Sequence, residues 1–235
     1  MKITHSLLRW VIAGSLTIFL LSGCAVIEIF TGSSEEELTP DELMTQGVER
    51  MERASYSGAV ESFQMIKDRY PYSKYATLAE LKMADALYQT QEYDAAYDAY
   101  DEFGRLHPKH NQMPYVLYQK GMCHFIQMKS NDRDQSHTVK AKEEFERLIR
   151  QFPRDNYAHR ARKNIRKCLI FLAENELVVG RFYFKMGKYR AALARYAYIV
   201  ENYPDMGQYN EALEYISRCK AKLAEEASHA QEDKG

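Results

Sequence analysis

The chain has 235 residues, 46% hydrophobic and 12% aromatic, and its 32 basic side chains nearly balance 33 acidic ones. Such a length holds one or two domains with ample core. A net charge of −1 gives no reason to expect a nucleic-acid partner.

Residues 1–23 have the layout of an export signal: Lys2 and Arg9 form a basic start, Trp10 to Leu20 an apolar run, and Leu21-Ser22-Gly23 a small-residue cleavage region. The apolar run is shorter than the roughly 20 residues a membrane span needs. Ending in Cys24, the segment LSGC resembles a bacterial lipobox. That resemblance implies a covalent lipid on Cys24 and cleavage before it. Ala25 stands where aspartate is the usual inner-membrane retention signal of enteric bacteria, so the same resemblance implies the outer membrane. Residues 24–38 then read as a lipidated tether, with an apolar patch from Val26 to Phe30 and an acidic run from Glu35 to Glu37.

From Thr39 the chain alternates helical stretches with short turns, and no period-two strand pattern appears. Helices are expected at about 40–53, 57–70, 74–90, 92–106, 113–129, 138–152, 156–186, 188–202 and 207–226. All six prolines fall at expected helix edges: Pro40 and Pro114 at starts, Pro71, Pro108, Pro153 and Pro204 just past ends. The last nine residues, 227–235, read as a polar, frayed tail.

The segment from Gly180 to Pro204 carries the G-x2-Y, A-x3-F and terminal proline order of a tetratricopeptide repeat, in Gly180, Tyr183, Ala192, Tyr196 and Pro204. A small residue, an aromatic four on and a proline eight after that recur in Ala59/Phe63/Pro71, Ala96/Tyr100/Pro108 and Ala141/Phe145/Pro153. The alanine lets two antiparallel helices approach, and the aromatic one turn later fills the space beside it. The expected fold is therefore all-α: over 39–226, an α-solenoid of about five tetratricopeptide-like helix hairpins, the fifth represented by a lone capping helix.

Successive prolines are 37, 45 and 51 residues apart, against a standard period of about 34. In the third copy the added length is the polar segment from Ser130 to His137. In the fourth it precedes Gly180, so the first helix of that hairpin is expected to run about 30 residues, roughly 45 Å, and to project past its neighbours.

No phosphate loop, G-x-S-x-G, H-E-x-x-H or C-x-x-C pattern is present, so catalysis is not expected, and no metal or cofactor beyond the lipid on Cys24. His107 and His110 flank Pro108 without further ligands nearby. Cys123, Cys168 and Cys219 all lie in expected helices, where buried thiols are the simpler reading; an exported protein could oxidise one pair.

A solenoid offers a concave face lined by the first helix of each hairpin. Leu78, Leu81 and Tyr88, with Tyr115, Tyr118 and Met122, map to it and suggest an apolar peptide groove; several of them could equally be core. The long helix bears Arg160, Arg162, Lys163, Arg166 and Lys167, either a solvated face or a dock for an acidic partner. Arg195, beside Tyr196, is the sharper docking candidate.

The stretches RYPYSKYA (69–76), HPKHNQMPYVLYQKG (107–121), NDRDQSHTVKAKEEFERLIRQFP (131–153) and FYFKMGKYRAALARY (182–196), together with the lipobox and the uneven repeats, resemble the BamD (ComL) lipoprotein family. The resemblance spans nearly all of 40–220. It implies a non-enzymatic scaffold on the periplasmic face of the outer membrane, in the β-barrel assembly machinery. Such a scaffold would bind the barrel assembly protein through its C-terminal repeats and nascent outer-membrane proteins through its N-terminal groove, with other assembly lipoproteins as further partners. The chain departs from the family in its shortened fifth repeat, which puts contacts there in doubt. The competing readings are another lipid-anchored repeat adaptor, such as a pilotin or an envelope coordinator, and an enzyme accessory or hydrolase with a scattered site.

Overall fold

Prolines and left-handed residues punctuate the chain into hairpins. A computed structural model describes residues 37–130 and 134–232. The signal, Cys24, the tether up to residue 36 and Asn131-Asp132-Arg133 lie outside the described residues. Among the described residues there are nine α-helices and no strand: α1 Pro40–Glu52, α2 Tyr56–Arg69, α3 Ala76–Gln89, α4 Tyr93–Leu106, α5 Met113–Phe125, α6 Ser136–Gln151, α7 Asn156–Lys185, α8 Tyr189–Asn202 and α9 Tyr209–Glu232.

The four even-numbered helices end alike. Tyr70, His107, Phe152 and Tyr203, each directly before a proline, cap them with φ between −124° and −132° and ψ between 48° and 60°. Proline's ring clashes with an α-conformation at the preceding residue, so the helix stops there. The turns inside hairpins one, two and four each need a left-handed residue: Ala54 (φ 56°), Gln91 (φ 66°) and Gly187 (φ 70°). Only the last of these is the residue that takes this conformation without cost.

Each helix packs on its sequence neighbours, and α7 also packs on α5. Three core clusters follow one another along the stack. Leu43, Phe63, Ile66 and Met83 lie in the first, Tyr100, Phe103, Phe145 and Leu148 in the second, and Leu177, Tyr196 and Ile199 in the third. All four alanine–aromatic pairs read from the sequence are fully buried.

The aromatics need space across the hairpin. A Cβ added at Gly47 would come within 2.4 Å of the Phe63 ring, one at Gly121 within 2.5 Å of Phe145, and one at Gly180 within 2.7 Å of Tyr196. In hairpin two the corresponding residue is Ala84, itself fully buried.

Three expectations shift. Helix α5 stops at Phe125 rather than 129, because Gln127 N–H and Met128 N–H bond to carbonyls three residues back and tighten the chain. Helix α6 starts at Ser136 rather than 138, where Asp134 accepts from the Ser136 backbone N–H at 3.1 Å and from its hydroxyl at 2.6 Å. Helix α9 continues to Glu232. Its end is rich in alanine and glutamate, strong helix formers, and Lys222 pairs with Glu225 at 2.7 Å.

The expectation that α7 projects past its neighbours is overturned. Its first half buries Ala158, Ala161, Asn164 and Cys168 against α5 and α6, and its second half buries Ala173, Leu177 and Gly180 against α8. One helix thus closes hairpin three and opens hairpin four, and no proline breaks it between the two.

Candidate peptide cleft and docking surface

Helices α3 and α5 and the start of α7 border a cleft of about 440 Å³. Leu78, Tyr115 and Tyr157 supply its apolar walls, and Lys74, Lys82 and His110 its polar rim, with the two lysines as cations. Leu78 is 44% exposed there, a large apolar side chain left open to water. Asp85 fixes the back wall by accepting hydrogen bonds from the Tyr115 hydroxyl at 2.6 Å and the Tyr100 hydroxyl at 2.8 Å. Burial first, then the Asp85 charge, pushes both phenols above their ordinary range, so they remain donors. Tyr115 in turn meets Tyr157 edge-on, with centroids 5.5 Å apart.

Of the six residues assigned to a groove from the sequence, Leu78, Leu81 and Tyr115 border this cleft, and Leu81, 6% exposed, contributes only its floor. The groove assignment is corrected for the other three. Tyr118 is core, 8% exposed and packed on Phe145 and Tyr157. Tyr88 packs edge-on against Tyr93, and burial pushes its hydroxyl up to about 12. The Met122 sulfur accepts from Asn164 Nδ2 at 3.3 Å. Helical spacing placed Tyr118 and Met122 on the right helix, but α7 packs against that part of α5; Tyr88, on α3, packs instead into the second core cluster beside Tyr93.

Between α7 and α8 lies a second recess of about 500 Å³, bordered by Glu176, Tyr183, Ala191, Ala194, Arg195 and Tyr198. Arg195 Nη1 donates to Glu176 Oε2 at 3.2 Å and to Oε1 at 3.4 Å. Nearly half the Arg195 side chain stays exposed, whereas Glu176 is largely buried. Tyr196, the aromatic beside Arg195 in sequence, is fully buried beneath Gly180 and takes no part in this surface. Tyr183 and Tyr198 take that place, three residues from Arg195 in one case and on the facing helix in the other.

The basic run of α7 is dispersed. The Arg160 guanidinium stacks over Tyr118 at 5.0 Å and Tyr157 at 5.6 Å, Arg162 donates to the Pro153 carbonyl at 3.0 Å, and Lys163 and Arg166 are exposed. Two of these four cations thus already serve the packing of the helix start.

Sequence reasoning missed a polar network on the opposite side of α5. Lys120, 3% exposed, donates to Asp101 at 2.7 Å and lies 3.3 Å from Glu144, which also accepts from the Tyr97 hydroxyl at 2.9 Å. The Lys120 hydrogen bond holds the Asp101 carboxyl below its ordinary value. A lysine at a helical core position is the signal that could have exposed it. Nearby, the Nδ1 atoms of His124 and His137 are 3.4 Å apart.

Among the described residues no group of three or more His, Cys, Asp or Glu side chains converges as a metal site would require. His107 instead pairs with Glu80 at 2.7 Å, and His110 Nδ1 accepts from the Gln112 backbone N–H. The thiols of Cys123, Cys168 and Cys219 are free and buried. No described helix is long and apolar enough to cross a membrane.

Several known proteins are similar to this chain. The outer membrane protein assembly factor BamD of Neisseria meningitidis serogroup B is 31% identical over 217 residues, covering 86% of this chain and 80% of that protein. The factor of the same name in Vibrio cholerae is 26% identical, covering 86% and 87%. Among solved structures, the TPR2AB domain of yeast Sti1 aligns with a TM-score of 0.44 at 15% identity, over 78% of this chain and 70% of that one. A sequence profile of the YfiO outer membrane lipoprotein family matches residues 36–234, and the chain belongs to that family.

Proposed function

We propose that the protein is a non-enzymatic scaffold for outer-membrane protein assembly, tethered to the outer membrane by a lipid on Cys24 and working on its periplasmic side. Family membership and relatives named as outer membrane protein assembly factors support the role. The single structural observation that carries it is the cleft of Leu78, Tyr115 and Tyr157 under a rim of Lys74, Lys82 and His110.

That chemistry suits the end of an extended peptide: an aromatic last residue against the tyrosines and its carboxylate at the lysines. Nascent outer-membrane proteins are the clients this reading implies. The Glu176–Arg195 recess is the docking surface for a barrel assembly protein, with Arg195 as the exposed fork and Tyr183 and Tyr198 as apolar anchors. The exposed Lys163 and Arg166 are the next candidates for that contact.

Detergent extraction and affinity purification of the full chain tests the role. An integral barrel assembly protein should co-purify; recovery of a secretin or a peptidoglycan-bound protein in its place would point to the other adaptors. Mass spectrometry of membrane-purified protein should show an acylated Cys24 at the N-terminus. A Cys24→Ser chain that is processed and held at the membrane as before would remove the anchor from this proposal.

A further inference from the structure

The turn between α7 and α8 differs from its counterparts. Phe182 and Met186, one helical turn apart at the end of α7, are 59% and 58% exposed. The equivalent positions in hairpin one hold Glu49 and Arg53, which form an ion pair at 3.2 Å, and those in hairpin two hold Ala86 and Thr90. Large apolar side chains thus stand at this tip where hairpins one and two have polar or small ones.

Charge follows the same pattern. Lys185, Lys188 and Arg190 are exposed around the two apolar side chains, and no acidic residue occurs between Glu176 and Glu201. On α9, Lys222 and Glu225 form an ion pair at 2.7 Å, so neither adds net charge to this side. Gly187 stands at the apex, and a Cβ there would meet nothing within 4 Å. The tip is convex, open, apolar at its centre and basic at its edge.

We propose that this tip is a second, reversible contact with an anionic lipid surface, independent of the acyl anchor. A protein partner would need a surface shaped to receive an open convex turn, whereas a bilayer interface accepts one as it stands. Phe182 and Met186 enter the boundary between headgroups and acyl chains, and Lys185, Lys188 and Arg190 keep their charges among anionic headgroups. Membership of an outer membrane lipoprotein family supports a bilayer as the surface this tip would meet. The contact would hold the α7–α8 hairpin, and with it the Glu176–Arg195 recess, close to the membrane.

The full chain purified from membranes is reconstituted in vesicles of phosphatidylethanolamine with phosphatidylglycerol, or of phosphatidylcholine alone, and its lysines are acetylated with a water-soluble reagent. Lys109, on the α4–α5 turn at the other edge of the hairpins, serves as reference. On the anionic vesicles Lys185 and Lys188 should react about fivefold more slowly relative to Lys109, and 0.5 M salt should remove much of that difference. A Phe182→Ser/Met186→Ser chain should lose the protection at an unchanged melting temperature, because both side chains are exposed. Equal reaction on both vesicle types, or full protection retained in the double variant, overturns the proposal. So does protection that appears only when a barrel assembly protein is added, which would make the tip a protein contact. Co-purification of that protein with the double variant separates a failure here from a failure of the scaffold reading.

Discussion

Glu176 on α7 holds Arg195 on α8 through one guanidinium nitrogen, 3.2 Å from one carboxylate oxygen and 3.4 Å from the other, while the rest of the arginine fork faces solvent. With its arginine nearly half exposed, this ion pair contributes about 1 kcal/mol to folding. The exposed part of the fork is available to a partner carboxylate. Arg195→Glu should therefore abolish co-purification of the barrel assembly protein, with the chain still folded at a cost of about 1–3 kcal/mol for leaving the largely buried Glu176 beside a second carboxylate. Glu176→Gln should leave co-purification in place. Wild-type yield with Arg195→Glu in moderate salt would put the docking surface elsewhere, with Lys163 and Arg166 next to be tested.

The glycines beneath the aromatics can be examined by urea unfolding. Gly121→Ala and Gly180→Ala each gain helix propensity, but their Cβ atoms would press to 2.5 Å and 2.7 Å from Phe145 and Tyr196. Overpacking costs about 1–3 kcal/mol, so both variants should be less stable in spite of the better propensity. Shortening the ring, as in Gly121→Ala/Phe145→Leu, should recover part of the loss. Variants as stable as the parent would mean the rings can move aside.

At the turns the sign reverses. Gln91 adopts φ 66° with a side chain that disfavours it, and left-handed backbone costs a non-glycine residue roughly 1–2 kcal/mol. Gln91→Gly should raise stability by up to about 1 kcal/mol, less the entropy glycine restores to the unfolded chain. A drop in melting temperature would count against the strain.

Tyr115 and Tyr118 lie one turn apart on α5 and should separate binding from stability. Tyr118→Ala removes a core ring and should cost about 3–5 kcal/mol in unfolding free energy. Tyr115→Ala opens the cleft wall and should weaken peptides with an aromatic C-terminus by about 1 kcal/mol or more, read by fluorescence titration. Equal peptide affinity for parent and Tyr115→Ala would place the peptide outside this cleft.

His124 gives a pH dependence with a definite sign. Burial first, then the charges of His137 and Lys140, holds its imidazole below the ordinary value, against the opposing pull of Glu144 and Asp94. The unfolded chain therefore takes up this proton more readily than the folded one. The contribution is fully present above the unfolded value of about 6.5 and is lost as pH falls through the folded value. His124→Gln should flatten the decline in melting temperature between pH 7 and pH 5; an unchanged slope would assign that decline to other groups.

Helix order, hairpin boundaries and the buried alanine–aromatic pairs were legible in the chain because they depend on local rules. Proline disfavours α backbone at the residue before it, and a period of 3.6 puts Ala192 and Tyr196 on one face whatever surrounds them. Which face of α5 stays open could not be read in this way. Tyr115 and Tyr118 have the same local pattern, and only the first half of α7, arriving more than 35 residues later, buries one and leaves the other at a cleft. The length of α7 was readable, but its role was not. Asn164 and Cys168 meet α5, and Leu177 and Gly180 meet α8, so a helix that looked like a projection closes one core and opens the next. The same holds for Arg195, whose partner Glu176 lies nineteen residues away on the facing helix. Sequence spacing determines which side chains share a helix face; what covers that face is decided by contacts between helices, where burial and charge pairing are settled.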